Sequence, residues 1–174
     1  MKMEYQDFRE DDVFSMTGKT TIWSERLIPV NLQLGEERGK REQVLRYIDA
    51  INAQLEWITQ NRAVITDMLV KDGLLTLAED WISGAEDISE YDENEEPIKE
   101  IYRLEDGTEV ALPLSEKDFR ASLRMDSITI DLTGGRENQS AELIVFCIPD
   151  YFAGHSIVID IERDGTMTNR GLYG

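Results

Sequence analysis

Apolar and polar positions alternate along "TTIWSERLIPVNLQLG", where Ile28, Val30, Leu32 and Leu34 fall at period two, the signature of a half-buried strand. Upstream, Val13, Phe14 and Met16 lead into Thr17-Gly18-Lys19, so residues 12–34 predict a hairpin followed by an extended strand. Pro29 has no N–H for a ladder and argues for an edge position or a break. From Glu36 the period lengthens. Val44, Ile48, Ile51, Leu55 and Ile58 form one helical stripe, while Glu42, Arg46, Asp49 and Glu56 lie off it. A second helical stretch starts near Asn61 with Ile65, Met68 and Leu69. Gly73 breaks or bends it, and Leu74, Leu77, Ala78, Trp81 and Ile82 continue its apolar face.

Between Lys71 and Lys99 the chain carries no basic residue, and Glu86, Asp87, Glu90, Asp92, Glu93, Glu95 and Glu96 crowd the middle of that interval. Such a run predicts a solvated acidic loop. After Pro97, "IKEIYRL", the turn Glu105-Asp106-Gly107 and "TEVALPL" predict a hairpin. Ser115 followed three residues later by Asp118 marks the start of a short helix over 115–123.

The last third predicts sheet. "SITIDL" places Ile128, Ile130 and Leu132 on one face, "TGGRENQS" is turn material, and "LIVFCI" has the look of a central strand buried on both faces. "HSIVIDIE" alternates, and Asp164-Gly165 turns the chain into a final strand. Strands flanking a helical block without βαβ alternation predict an α+β fold, a mainly antiparallel sheet packed against a helical pair and one short helix. The expectation is a single domain over residues 1–174, with the acidic loop and hairpin of 86–112 as an insertion.

Composition narrows the classes. Thirty-six acidic against 18 basic residues leave a net charge of −18, which repels phosphate backbones and anionic membrane, so neither nucleic acid nor membrane is an expected partner. A basic protein remains compatible. The single cysteine, Cys147, excludes an intramolecular disulfide; the N-terminus lacks the regions of a signal peptide, and no apolar run is long enough to span a bilayer. A cytoplasmic protein is expected, its oligomeric state open.

Candidate chemistry centres on His155, the only histidine. If residues 155–162 are extended, His155 shares a face with Ile157, Ile159 and Ile161 while Ser156 points away, so a nucleophile-base pair between neighbours fails on geometry. A structural role is expected for His155. Cys147 lies in an apolar run where a thiol is inert, which disfavours a zinc or thiolate site. "DENEEP" and "DIERDG" imitate calcium loops, but the first has Pro97 where Gly is needed, and the closing positions hold Arg103 and Gly171 in place of a bidentate Glu. Gly134-Gly135 and "GEERG" lack the lysine and the full glycine pattern of phosphate loops. No metal and no cofactor is expected. Trp23, Trp57 and Trp81 are assigned to core or rim, and Tyr151-Phe152 to a packed corner or a pocket wall.

The order "LSEKDFRASLRMDSITIDL", an apolar strand and then "DYFAGHSIVIDIERDG" resembles a family of uncharacterised bacterial proteins, a domain of unknown function of the 2262 type, over about residues 20–174. The resemblance is carried by Asp150, Phe152, Gly154, His155 and Ser156, with Ala153 where the family often has Trp. It implies no established activity. By analogy with small acidic bacterial domains, it suggests a non-enzymatic, protein-binding, immunity-like role against a basic partner, with Glu86, Asp87, Glu90, Asp92, Glu93, Glu95 and Glu96 as the contact loop. The alternative is a small-molecule-binding domain or hydrolase with its site at Asp150, Tyr151, Phe152, Gly154, His155 and Ser156.

Overall fold

A computed structural model describes residues 2–12, 14–35, 39–135 and 139–174. Val13, and Arg136, Glu137 and Asn138 of the turn segment, lie outside the described residues, as do Glu36, Glu37 and Arg38 of "GEERG". The architecture is α+β. A seven-stranded sheet has the order β1-β2-β3-β8-β9-β10-β11, built from β1 (Arg9–Asp12), β2 (Ser15–Thr21), β3 (Leu27–Gln33), β8 (Leu123–Asp131), β9 (Ser140–Cys147), β10 (Ser156–Glu162) and β11 (Met167–Tyr173). The pair β3–β8 is parallel and every other pairing within that sheet is antiparallel, so two meanders meet at a parallel seam. Val30 pairs Ile128 and Leu32 pairs Ile130 across it, and all four are fully buried.

Helices α1 (Lys40–Gln60), α2 (Arg62–Lys71) and α3 (Leu74–Ser83) lie in the link from β3 to β8. Val44, Ile51, Leu55 and Ile58 of the α1 stripe are buried, as are Ile65 and Leu69 of α2 and Leu74, Ala78 and Ile82 of α3. They join the buried strand residues in one hydrophobic cluster. Ile48 is only partly buried and packs at its margin. Gly73 breaks the second helical segment at a left-handed φ of 84°. The short helix α4 (Glu116–Ser122) begins at Ser115, whose hydroxyl oxygen accepts the Asp118 N–H at 3.0 Å.

Four details depart from the sequence expectations. Thr17-Gly18-Lys19 is no turn: it lies inside β2, with Gly18 opposite Val30, and the reversal falls after Thr21, where Trp23 has a φ of 63°. Glycine is required at 18 by close approach, since a Cβ would stand 2.6 Å from the Met3 methyl and 2.9 Å from the Phe8 ring. Pro29 sits in an inner strand rather than at an edge; it is tolerated because pairing with β8 begins one residue later, at Val30. "LIVFCI" is buried on one face only, because the covering elements lie on one side. Leu143, Val145 and Cys147 face the core, whereas Ile144 and Phe146 are half-buried on the other face.

The acidic segment, finally, is strand rather than loop. β4 (Glu86–Asp87) and β5 (Glu90–Tyr91) both pair with β6 (Pro97–Arg103), and β7 (Glu109–Leu112) pairs with the opposite edge of β6. Main-chain pairing supplies the order that side-chain burial does not, since residues 90–100 are all exposed. Ser89 completes it: its hydroxyl accepts the Ile101 N–H at 2.9 Å where the ladder is interrupted between β4 and β5. At the tip, the Asp92 carboxylate accepts the N–H groups of Asn94 and Glu96 at 2.8 and 2.9 Å. The expected β6–β7 hairpin forms around Glu105-Asp106-Gly107. The result is an acidic β-ribbon.

The close approach at Gly18 is open to test. Gly18→Val is expected to lower unfolding stability by about 1–3 kcal/mol, the range for overpacking a filled core. Urea denaturation checks this, and an unchanged midpoint would place the Met3–Phe8 segment elsewhere.

Candidate functional site

The corner between β9 and β10 follows Cys147 and runs through Pro149 to His155. Its conformation is set by Asp150, whose carboxylate accepts the Gly154 N–H at 2.7 Å and the Phe152 N–H at 3.3 Å. A short acidic side chain that bonds its own downstream backbone stabilises a turn in this way. Ala153 and Gly154 have positive φ values of 48° and 86°, and Phe152 is fully buried.

His155 stands just ahead of β10, with its N–H donated to the Phe152 carbonyl at 3.0 Å. Its ring Nδ1 lies 3.0 Å from the same carbonyl and 3.3 Å from that of Ala153. A carbonyl oxygen only accepts, so Nδ1 carries the proton and Nε2 is the free lone pair of the neutral ring. The ring meets Trp81 of α3 edge-on at 5.0 Å, and Trp81 meets Phe152 at 6.1 Å. Gly174 packs on the imidazole so closely that a Cβ there would stand 2.6 Å from Cδ2. His155 therefore clamps the corner to α3.

The six corner residues do not form one reacting set. Among the described residues no hydrogen bond joins His155 to Ser156 or to Asp150, and Ser156 lies in β10 opposite Tyr173. Nucleophilic catalysis needs the base within about 2.6–3.2 Å of the hydroxyl. Asp150 and Tyr151 instead face a cleft of about 510 Å³, shared with Asp80 and Trp81 of α3 and with Glu105 and Asp106 of the β6–β7 turn. The topology thus brings the base of the acidic ribbon beside the corner, a juxtaposition no local sequence signal announces.

The acids of the ribbon sort into base and tip. Arg103 bonds Glu86 at 3.1 Å and Glu109 at 3.3 Å, closing the base, and the Tyr91 hydroxyl donates to Asp87 at 2.5 Å. Hydrogen bonds from Ser89 and Tyr91 hold the Asp87 carboxyl below its ordinary range. The N–H groups of Glu96 and Asn94 do the same for Asp92. Glu90, Glu93, Glu95 and Glu96 are exposed and have no ion-pair partner among the described residues.

Cys147 and Tyr151 show what burial does to the neutral acids. Cys147 is 2% exposed and desolvation pushes its thiol to about 12; Tyr151 is 5% exposed and its phenol is likewise pushed to about 12 by burial. The three tryptophans are half-buried rim residues, with Trp23 Nε1 donating to the Ile58 carbonyl at 3.2 Å. Among the described residues no group of three or more His, Cys, Asp or Glu side chains is placed to hold a metal ion, and no helix is long and apolar enough to cross a membrane.

Two outcomes follow. Cys147 should resist a thiol reagent at pH 8 in the folded chain and react once denaturant is added; rapid labelling of the native protein would contradict its burial. His155→Gln should lower stability by about 1 kcal/mol through loss of the ring contact with Trp81, with a matching change in near-UV circular dichroism.

Compared with known proteins, the chain belongs to the family described as an uncharacterised protein conserved in bacteria, DUF2262, whose model matches residues 6–172. No curated protein and no solved structure matches it.

Proposed function

We propose that this member of a bacterial family of uncharacterised proteins is a protein-binding module, and that its acidic ribbon engages a basic partner as an immunity protein engages a toxin. One observation carries the reading. Residues 86–112 hold eleven acids against Lys99 and Arg103, half of the net charge of −18, on a ribbon whose tip is exposed on all sides. Tyr91 and Ile98, 51% and 67% exposed, stand among those charges. Long-range attraction raises the encounter rate with a basic surface, and apolar side chains at the same place give the short-range contact that charge alone does not supply.

The hydrolase alternative draws no support from His155, whose Nδ1 faces carbonyls and whose ring is packed against Trp81. A small-molecule site at the corner is favoured by one feature, the cleft beside Asp150.

The test is paired capture from the native bacterium at low salt, with the wild-type chain and a Glu93→Gln/Glu95→Gln/Glu96→Gln variant. The reading predicts a basic protein that the wild type retains, that the variant loses, and that ionic strength releases from the wild type. Recovery of no partner, or of one held equally by both chains, would overturn it.

A further inference from the structure

The cleft between α3, the β6–β7 turn and the 150–153 corner combines aromatic wall and unpaired negative charge. Trp81 lines it with a ring fixed edge-on by His155 and Phe152, and Tyr151 lines it while otherwise 95% buried by its 5% exposure. The Tyr151 hydroxyl has no hydrogen-bond partner among the described residues, yet no buried side-chain polar atom is left unpaired, so that hydroxyl keeps accessible surface. Asp80, Glu105, Asp106 and Asp150 complete the lining, and no lysine or arginine belongs to it. The side chains of Asp80 and Glu105 have neither hydrogen-bond nor ion-pair partners among the described residues. Asp106 and Asp150 are held in place by backbone N–H groups, from Thr108 at 2.8 Å and Gly154 at 2.7 Å.

This contrasts with the rest of the surface. Elsewhere the few bases are spent on acids: Arg120 on Asp67 and Glu116, Arg170 on Glu142 and Asp160, Arg103 on Glu86 and Glu109. A concavity of about 510 Å³ is within the size range of ligand pockets. Apolar walls suit a hydrocarbon stem, an indole face attracts a cation, and carboxylates pair with guanidinium or ammonium. We infer that the cleft is a receptor for an aliphatic organic cation, a guanidinium or ammonium group on a short hydrocarbon stem. The inference deepens the protein-binding reading by naming the group the cleft receives, and the same chemistry could arrive on a free amine or on a basic side chain of the partner.

Two probes separate those sources: agmatine, and an arginine flanked by capped glycines. Each is titrated into the full-length chain labelled with nitrogen-15, with 1-pentanol as the uncharged control. The expected result is weak, saturable shifts of the backbone amides of Gly84, Ala85, Asp106 and Ala153, reduced about tenfold in affinity in Asp80→Asn/Glu105→Gln. Both substituted residues are exposed, so the variant is expected to keep the wild-type spectrum away from the cleft. Binding of agmatine alone assigns the site to free amines, and binding of the peptide assigns it to a basic side chain. The inference fails if neither probe shifts these amides, if pentanol shifts them equally, or if the double variant binds as well as the wild type. Because the tip residues Glu93, Glu95 and Glu96 are untouched in that variant, such a failure leaves partner capture by the ribbon unaffected and is distinguishable from its loss.

Discussion

The fold hangs on the seam where β3 runs parallel to β8. Val30, Leu32, Ile128 and Ile130 meet there without solvent exposure, beneath helices that the link between the same two strands carries. Burial of each such side chain contributes about 1.5–3 kcal/mol, and the antiparallel meanders on either side extend one continuous apolar face from it. A long link between parallel neighbours must leave the sheet and return, and that excursion accommodates the three helices, the acidic ribbon and α4. The cleft exists because of this route. The end of α3 and the base of the ribbon come back to the sheet at its β9–β10 corner, where Asp150 fixes the turn and His155 fastens it to Trp81.

Much of this was legible because burial leaves a period. The α1 stripe, the break at Gly73, the cap at Ser115 and the strand after His155 all rest on local signals of spacing or turn chemistry. What escaped had no such signal. β1, with the sequence Arg-Glu-Asp-Asp, is exposed throughout, and β4 and β5 pair through the main chain alone, so nothing in their side chains alternates. Gly18 looked like a turn residue because a glycine demanded by close approach and one demanded by backbone conformation are identical as letters. The Asp150–Ser156 segment stood out in sequence, but its partner in forming a cleft, the β6–β7 turn, lies more than forty residues earlier, and only the topology joins them.

Charge is distributed with a similar logic. Exposed ion pairs contribute little to stability, about 0–1 kcal/mol, so the pairs around Arg120, Arg170 and Arg103 chiefly neutralise the body of the domain. The ribbon tip and the cleft keep their carboxylates unpaired, which leaves the negative potential concentrated where the main chain projects and where the surface is concave. Such an arrangement contributes nothing to folding and suits attraction of a cation.

The account depends on His155 acting as a clamp that presents Trp81 to the cleft. The most direct measurement is the tautomer of its ring by long-range nitrogen-proton correlation at pH 8, together with nuclear Overhauser contacts from the ring protons. The account predicts a proton on Nδ1, directed at the Phe152 carbonyl, and contacts to the Trp81 indole. A proton on Nε2, or an imidazole without contacts to Trp81, would contradict it.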